Sequence, residues 1–519
     1  MTNEFYTGYQ YDRCSSRGIC SINPATSALQ EIVFLYLKNA SLCGIKLKEQ
    51  SNDDNVIKSF ILNTISVLSS NYELSETNFL MISAVFKNEI SKIIGEVDNK
   101  NLSDVKDLIN LEGDINNYIR YGEREFTERI QSITTETRSL YQIIFSLVKS
   151  LCINILTFES IKKENLYNMS FVYKIFSSFN APIKTKGKLK NLILKIATID
   201  CELIKNTRKL QEEKYGIQEE TELSFSTEKG KAVLVAGSNI CELETILENF
   251  KSQNINIYTH DNMILAHTFP KFKEYKNLKG QFGQGMENCL LDFSTFPGPI
   301  ILTKNSLFNV ESLYRGRLFT TDIAHSKGVI QIKNNDFSEV IKSAEESKGF
   351  KSGKTCQDET IGFNYIKSSE EIGTVLASDK YKRILIIGLD GYTIEEKIYF
   401  QTLLNHTSKD TFIISLSCCD KKENMICLNS PADICSMLKV SEQILKNTNK
   451  KIPVFIPHID RHMLSVILYL STFENAKLFI GDWAQSFANS SINKSLVNEF
   501  GINKIISPKK DLDFISSLK

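Results

Sequence analysis

Cys14 and Cys20, in the run DRCSSRGICSINP (residues 12–24), are separated by five residues and flanked by small side chains. Two thiolates this close, beside a glycine, make half of a ligand set for a [4Fe–4S] cluster, which is ordinarily held by four. The other ten of the twelve cysteines are scattered from Cys43 to Cys435, with no second pair at such spacing near the first. One chain therefore offers an N-terminal cluster two thiolates and leaves two unaccounted for.

Further polar and sulfur side chains follow short apolar runs. They are Ser238 and Asn239, His260 and Asn262, Asn305 and Ser306, Asp390 after Leu389, Cys418 and Cys419, and the stretch from His458 to His462. The runs before them read as strands: 231–238, 255–260, 298–305, 383–391, 411–419 and 452–460, with 328–332, 476–483 and 502–508 completing the set. Continuous apolar strands alternating with helical patterns predict parallel sheets covered on both faces. In such sheets ligands gather at the carboxyl ends of the strands, where these side chains fall.

Before residue 225 the periodicity is helical. Leu29, Ile32, Val33, Tyr36, Leu37 and Ala40 share one face of 27–49, and similar patterns run through 55–95, 125–160 and 186–213. The polar stretches 212–230 and 347–364 read as linkers. The expected architecture is α plus α/β: a helical bundle over 1–225 that carries the cysteine pair, then Rossmann-like α/β domains over 226–364 and 365–519.

Composition excludes several classes. Lys plus Arg number 62 against 61 acidic residues, so no global charge draws the chain to nucleic acid. The first ten residues do not read as a signal peptide. The most apolar stretch, 140–158, carries Lys149 and Asn154 and reads as a buried helix, not a membrane span. Twelve cysteines in a long chain then suggest reduced thiols or metal ligands in a cytoplasmic protein.

The stretches CSSRGICSINPATSALQE (14–31), YTHDNMILAHTFPKF (258–272), LKGQFGQG (278–285), DFSTFPGPIILTKNS (292–306), RLFTTD (317–322), GVIQI (328–332) and NDFSEVI (335–341) keep an order and spacing that carry a resemblance. The chain resembles the hybrid-cluster (prismane) proteins, or hydroxylamine reductases, which are related to nickel carbon monoxide dehydrogenases. The resemblance implies a helical domain, two Rossmann-like domains, and an iron–sulfur–oxygen cluster where the three meet. It also implies a ligand set of one histidine, two glutamates and four cysteines, and there this chain departs. The histidine position falls on Ser238, a glutamate position on Asn262 of THDNM (G-E in the family's T-H-G-E-M), and cysteine positions on Ser306 and Leu389. Cys418 (or Cys419) and Cys435 match two cysteines, and the last glutamate falls near His462.

Serine and asparagine are weak neutral ligands for iron and leucine is none, so the hybrid cluster is expected to be absent. Asn262, Ser306 and Asp390 are expected to face one another near Cys418 and Cys435. Cys418, Cys435 and His462 could hold a smaller zinc or iron centre, or be ordinary buried side chains. His260 and His267 read as structural histidines, and GQFGQG (280–285) as a turn before a phosphate cradle. The basic run 184–195 is either a solvated helix face or a dock for a small acidic electron-transfer protein.

In the family the N-terminal cluster takes two cysteine pairs from one chain, and CSSRGIC matches only the second. The related dehydrogenases share a cluster across a dimer interface. The resemblance thus implies a homodimer in which Cys14 and Cys20 of two copies hold one [4Fe–4S] cluster. Two functions follow: an iron–sulfur redox protein with little hydroxylamine reduction, or a non-catalytic relative serving sensing, assembly or small-ligand binding.

Overall fold

A computed structural model describes residues 24–50, 53–65, 68–69, 76–94, 103–162, 167–179, 183, 185–283, 288–306, 310–322, 325, 328–363, 365–378, 380–388, 394–416, 422–429, 433–456, 461–481 and 490–518. It forms two compact units, Met1–Ile193 with Lys304–Asn334, and Leu194–Thr303 with Asn335–Lys519. Residues 304–334 thus group with the helical unit and not with the first-sheet segment that brackets them in sequence.

The helical unit holds α1 (Pro24–Glu49), α2 (Asn55–Thr64), α3 (Glu76–Ile94), α4 (Ser103–Asn110), α5 (Ile115–Ser132), α6 (Thr135–Lys162) and α7 (Ser170–Ser177). It also holds the start of α8 (Lys186–Tyr215). The face of α1 read from its sequence is buried, but so are Gln30, Glu31, Phe34 and Leu35 on its other sides. The helix is central, packed by α2, α3, α5 and α7. Its one buried carboxylate is neutralised: Arg129 of α5 forks onto Glu31 at 2.7 and 2.6 Å. Gly122 lets α5 approach, since a Cβ there would stand 2.1 Å from the Ala28 carbonyl oxygen. α6 is long and apolar enough to cross a membrane by composition, yet 83% of its most apolar window is buried inside the protein. Lys149, in its middle, donates to the Leu68 carbonyl at 3.1 Å.

The second unit begins with β1 (Thr221–Leu223), β2 (Lys231–Ala236), α9 (Ile240–Asn249), β3 (Ile255–His260), β4 (Leu278–Gln281), α10 (Cys289–Thr295) and β5 (Ile300–Leu302). The helical unit then takes β6 (Leu318–Thr320) and β7 (Ile330–Gln331), a parallel pair. The chain continues through α11 (Ser338–Glu346), β8 (Glu359–Ile361), α12 (Tyr365–Ala377), β9 (Arg383–Ile387), α13 (Ile394–His406), β10 (Thr411–Ser415) and β11 (Met425–Cys427). It ends with α14 (Ile434–Lys446), β12 (Ile452–Ile456), α15 (Arg461–Leu470), β13 (Ala476–Ile480), α16 (Ser490–Phe500), β14 (Asn503–Lys504) and α17 (Pro508–Ser517).

Within this unit β4-β3-β2-β5 and β11-β10-β9-β12-β13-β14 are neighbours in two sheets, and every pairing described in these two sheets is parallel. Strand order reverses between β2 and β5 and between β9 and β12, the two places where an open sheet leaves a crevice. Ala232 to Ala236, Leu385, Ile386 and Val454 are wholly buried, as expected of strands covered on both faces.

The stretches expected to be linkers pair with each other instead. β1 runs antiparallel to β8, and bridges join Thr227 to Lys354 and Gly230 to Phe350. Polar sequence concealed this ribbon: Leu223 and Ile361 are the one buried apolar side chain of each three-residue strand, too few to write a period. β4, β6 and β11 also went unread, being three or four residues long.

Candidate functional site

Ser238 stands at the β2–β5 crevice, in the turn between Gly237 and the N-cap of α9, and its side chain is exposed. The cap is Asn239, which accepts from Glu242 N–H at 3.2 Å. β3 delivers His260, then Asp261 at φ +59°, a left-handed conformation natural to the glycine of the T-H-G-E-M pattern. Burial raises the Asp261 carboxyl above its ordinary range. Asn262 follows, half-buried.

Behind Asn262 the polar groups satisfy one another. His260 donates from Nε2 to Asp292 Oδ2 at 3.0 Å. Thr259 donates to Gln281 Oε1 at 2.6 Å, which leaves its oxygen to accept Nε2–H of His267 at 2.7 Å. Gln281 in turn donates to the Asp261 carbonyl at 3.3 Å. Burial pushes the His267 pKa down to about 4, so near neutral pH the imidazole is uncharged and carries one N–H. Both histidines are thus engaged in internal hydrogen bonds.

Where the sequence suggests a turn, Gly280 and Gln281 complete β4, and Phe282 and Gly283 follow it. Gln281 N–H donates to Ser224 O at 3.0 Å and Phe282 N–H to Thr259 O at 2.9 Å, so neither amide points at an anion. Gly283, at φ +79°, lies against Asp292; a Cβ there would fall 2.1 Å from its carboxylate oxygen.

Ser306 is buried in the helical unit, after Asn305 at φ +62°, whose N–H donates to Asp322 Oδ2 at 2.9 Å. Asn262 belongs to the other unit. Cys435 stands buried in the first turn of α14, and His462, half-buried, in the first turn of α15, which packs on α14. Burial pushes the Cys435 thiol up to about 11. Cys14, Cys20, Leu389, Asp390, Cys418, Cys419 and His458 lie outside the described residues.

Sequence reading missed a second buried cluster. Asp433 caps α14, accepting from Ser436 N–H at 3.0 Å and Ser436 Oγ at 2.6 Å. Arg208 of α8 forks onto the same carboxylate at 2.9 and 3.1 Å. Burial alone disfavours both charges, but each stabilises the other: Asp433 lies below the ordinary carboxylate range and Arg208 above its own. Asp433 before an apolar run was a readable cap signal. Nothing in the sequence pointed to Arg208, 225 positions away.

Among the described residues no three His, Cys, Asp or Glu side chains converge as a metal site. At three positions where the resemblance implies cluster ligands, Ser238, Asn262 and Ser306 carry hydroxyls and an amide, donor types that do not fit an iron–sulfur–oxygen cluster.

A helical unit and parallel open sheets, with polar side chains gathered at the strand ends, define a mixed α plus α/β protein. The chain belongs to the Prismane/CO dehydrogenase family, whose match spans residues 10–437. It is 23% identical to a hydroxylamine reductase of Thermodesulfovibrio yellowstonii over 96% of this chain and 97% of that one. A hydroxylamine reductase of Mannheimia succiniciproducens is 25% identical over 97% and 96% of the two chains. One of Acidiphilium cryptum is 28% identical over 57% of each. The chain is also similar, at a TM-score of 0.48 and 11% identity, to one chain of a solved structure described as NiZn[Fe4S4] and NiNi[Fe4S4] clusters in closed and open alpha subunits of acetyl-CoA synthase/carbon monoxide dehydrogenase, over 98% of this chain and 84% of that one.

Proposed function

We propose that this protein is an iron–sulfur redox protein of the prismane type that has lost the hybrid cluster and reduces hydroxylamine little. The observation that carries the reading is near full-length likeness to hydroxylamine reductases in a chain with hydroxyl and amide side chains at Ser238, Asn262 and Ser306. The backbone around those positions supports a fold kept without its ligands. Asp261 holds the left-handed turn, and His260, His267, Gln281 and Asp292 bond among themselves. In this reading the remaining redox centre is one [4Fe–4S] cluster held by Cys14 and Cys20 of two copies, in a cytoplasmic homodimer.

The neutral donor set also favours a second reading, a non-catalytic relative that uses the scaffold for sensing, assembly or small-ligand binding. Two measurements separate the possibilities. Hydroxylamine turnover to ammonia with reduced methyl viologen, under anaerobic conditions, is expected to be slight. Rates like those of a hydroxylamine reductase would overturn the reading. A visible absorption bleached by dithionite is expected of the redox protein, and colourless protein would leave the second reading standing.

A further inference from the structure

One buried chain of hydrogen bonds runs from the turn that carries Cys435 to the segment that follows β3. Ser436 donates to Asp433, and Arg208 grips Asp433 through Nη1 and Nη2. The same guanidinium donates from Nη1 to Gln218 Oε1 and from Nε to Gln211 Oε1, the latter at 3.2 Å. Gln218 then donates from Nε2 to Thr268 Oγ1 at 2.8 Å, and Thr268 donates to the Leu265 carbonyl at 2.8 Å. The backbone repeats the link, Glu219 N–H donating to Thr268 O at 2.9 Å. Every side chain in this chain is at least nine-tenths buried. The guanidinium carbon also lies 5.7 Å from the centre of the Phe269 ring.

We infer that Arg208 is a positioning residue: its planar fork ties the first turn of α14, and with it Cys435, to the Asp261–Thr268 segment that carries Asn262. The inference rests on the proposed function only in taking Cys435 and Asn262 as former ligand positions. A lysine cannot replace it, because one ammonium cannot meet a carboxylate side-on and two glutamine oxygens in three directions. The buried linkage also gives strand-end segments of two different sheets a fixed relation within one unit.

Differential alkylation of the native protein by iodoacetamide, read cysteine by cysteine by mass spectrometry, tests this. Cys241 on α9 of the same unit and Cys43 of the helical unit serve as internal references. In Arg208→Met the Cys435 rate is expected to rise by roughly tenfold or more relative to both references, as local opening of one turn requires. Arg208→Lys is expected to fall between wild type and Arg208→Met. Should Arg208→Met fail to fold, Thr268→Val cuts the far end of the same chain and is expected to raise Cys435 selectively. An unchanged Cys435 rate in the folded variants, or equal rises at all three cysteines, would overturn the inference. A colourless or hydroxylamine-reducing wild type would overturn the proposed function and leave this ratio readable.

Discussion

His267 shows how one buried side chain links sequence, burial and pH. It is held to about 4, against an ordinary 6.5, because burial disfavours its charged form, and its Nε2–H is engaged by Thr259. Between those values the unfolded chain binds the proton and the folded chain does not. Its contribution is therefore complete above about pH 6.5 and is lost as pH falls towards 4. The slope from this one group is at most about 1.4 kcal/mol per pH unit. Denaturant unfolding across that window is expected to show a flatter pH dependence for His267→Gln than for wild type. An unchanged slope would mean the imidazole is not buried neutral. That His260 and His267 are structural was legible from sequence, since histidines beside strand ends are commonly satisfied there. Their partners were not legible: Asp292 is 32 positions from His260, and Thr259, the partner of His267, is itself tied to Gln281 22 positions further on.

Elements add constraints that single residues do not show. Two glycines, one in β4 and one just after it, are required by contact: a Cβ at Gly280 would meet Ser224 O at 2.1 Å, and one at Gly283 would meet Asp292. Both also have positive φ. Gly283→Ala is expected to cost about 2 kcal/mol in denaturant unfolding, through left-handed strain and displaced carboxylate. A change within error would show that the turn can shift aside. At the other sheet, Asp433→Ala removes both the α14 cap and the counter-charge of buried Arg208, and is expected to cost about 3 to 5 kcal/mol. A loss no larger than an ordinary cap, about 1 kcal/mol, would show that Arg208 finds another partner. The long helices and the central apolar strands could be read from periodicity, because burial on both faces writes continuous apolar runs. The ribbon of β1 and β8 could not, because backbone pairing between polar stretches leaves no such pattern.

For the whole molecule, the family and the mixed α plus α/β class were legible in the order of short motifs along the chain, and the match over residues 10–437 bears this out. For the candidate site the sequence offers only positions where the resemblance implies ligands and this chain carries other side chains. Which groups the fold gathers around them depends on contacts hundreds of positions apart, such as Arg208 with Asp433. The central claim concerns what iron the protein keeps. A [4Fe–4S] cluster shared by Cys14 and Cys20 of two copies requires about two irons and two sulfides per chain, and a dimer. The most direct measurement is iron and acid-labile sulfide per chain on anaerobically purified protein of known oligomeric state, beside the Cys14→Ser/Cys20→Ser variant. The account predicts about two irons per chain in a wild-type dimer, with the variant free of iron and more readily dissociated. A monomer, a variant that keeps its iron, or six or more irons per chain (roughly the content of two separate clusters) would contradict it.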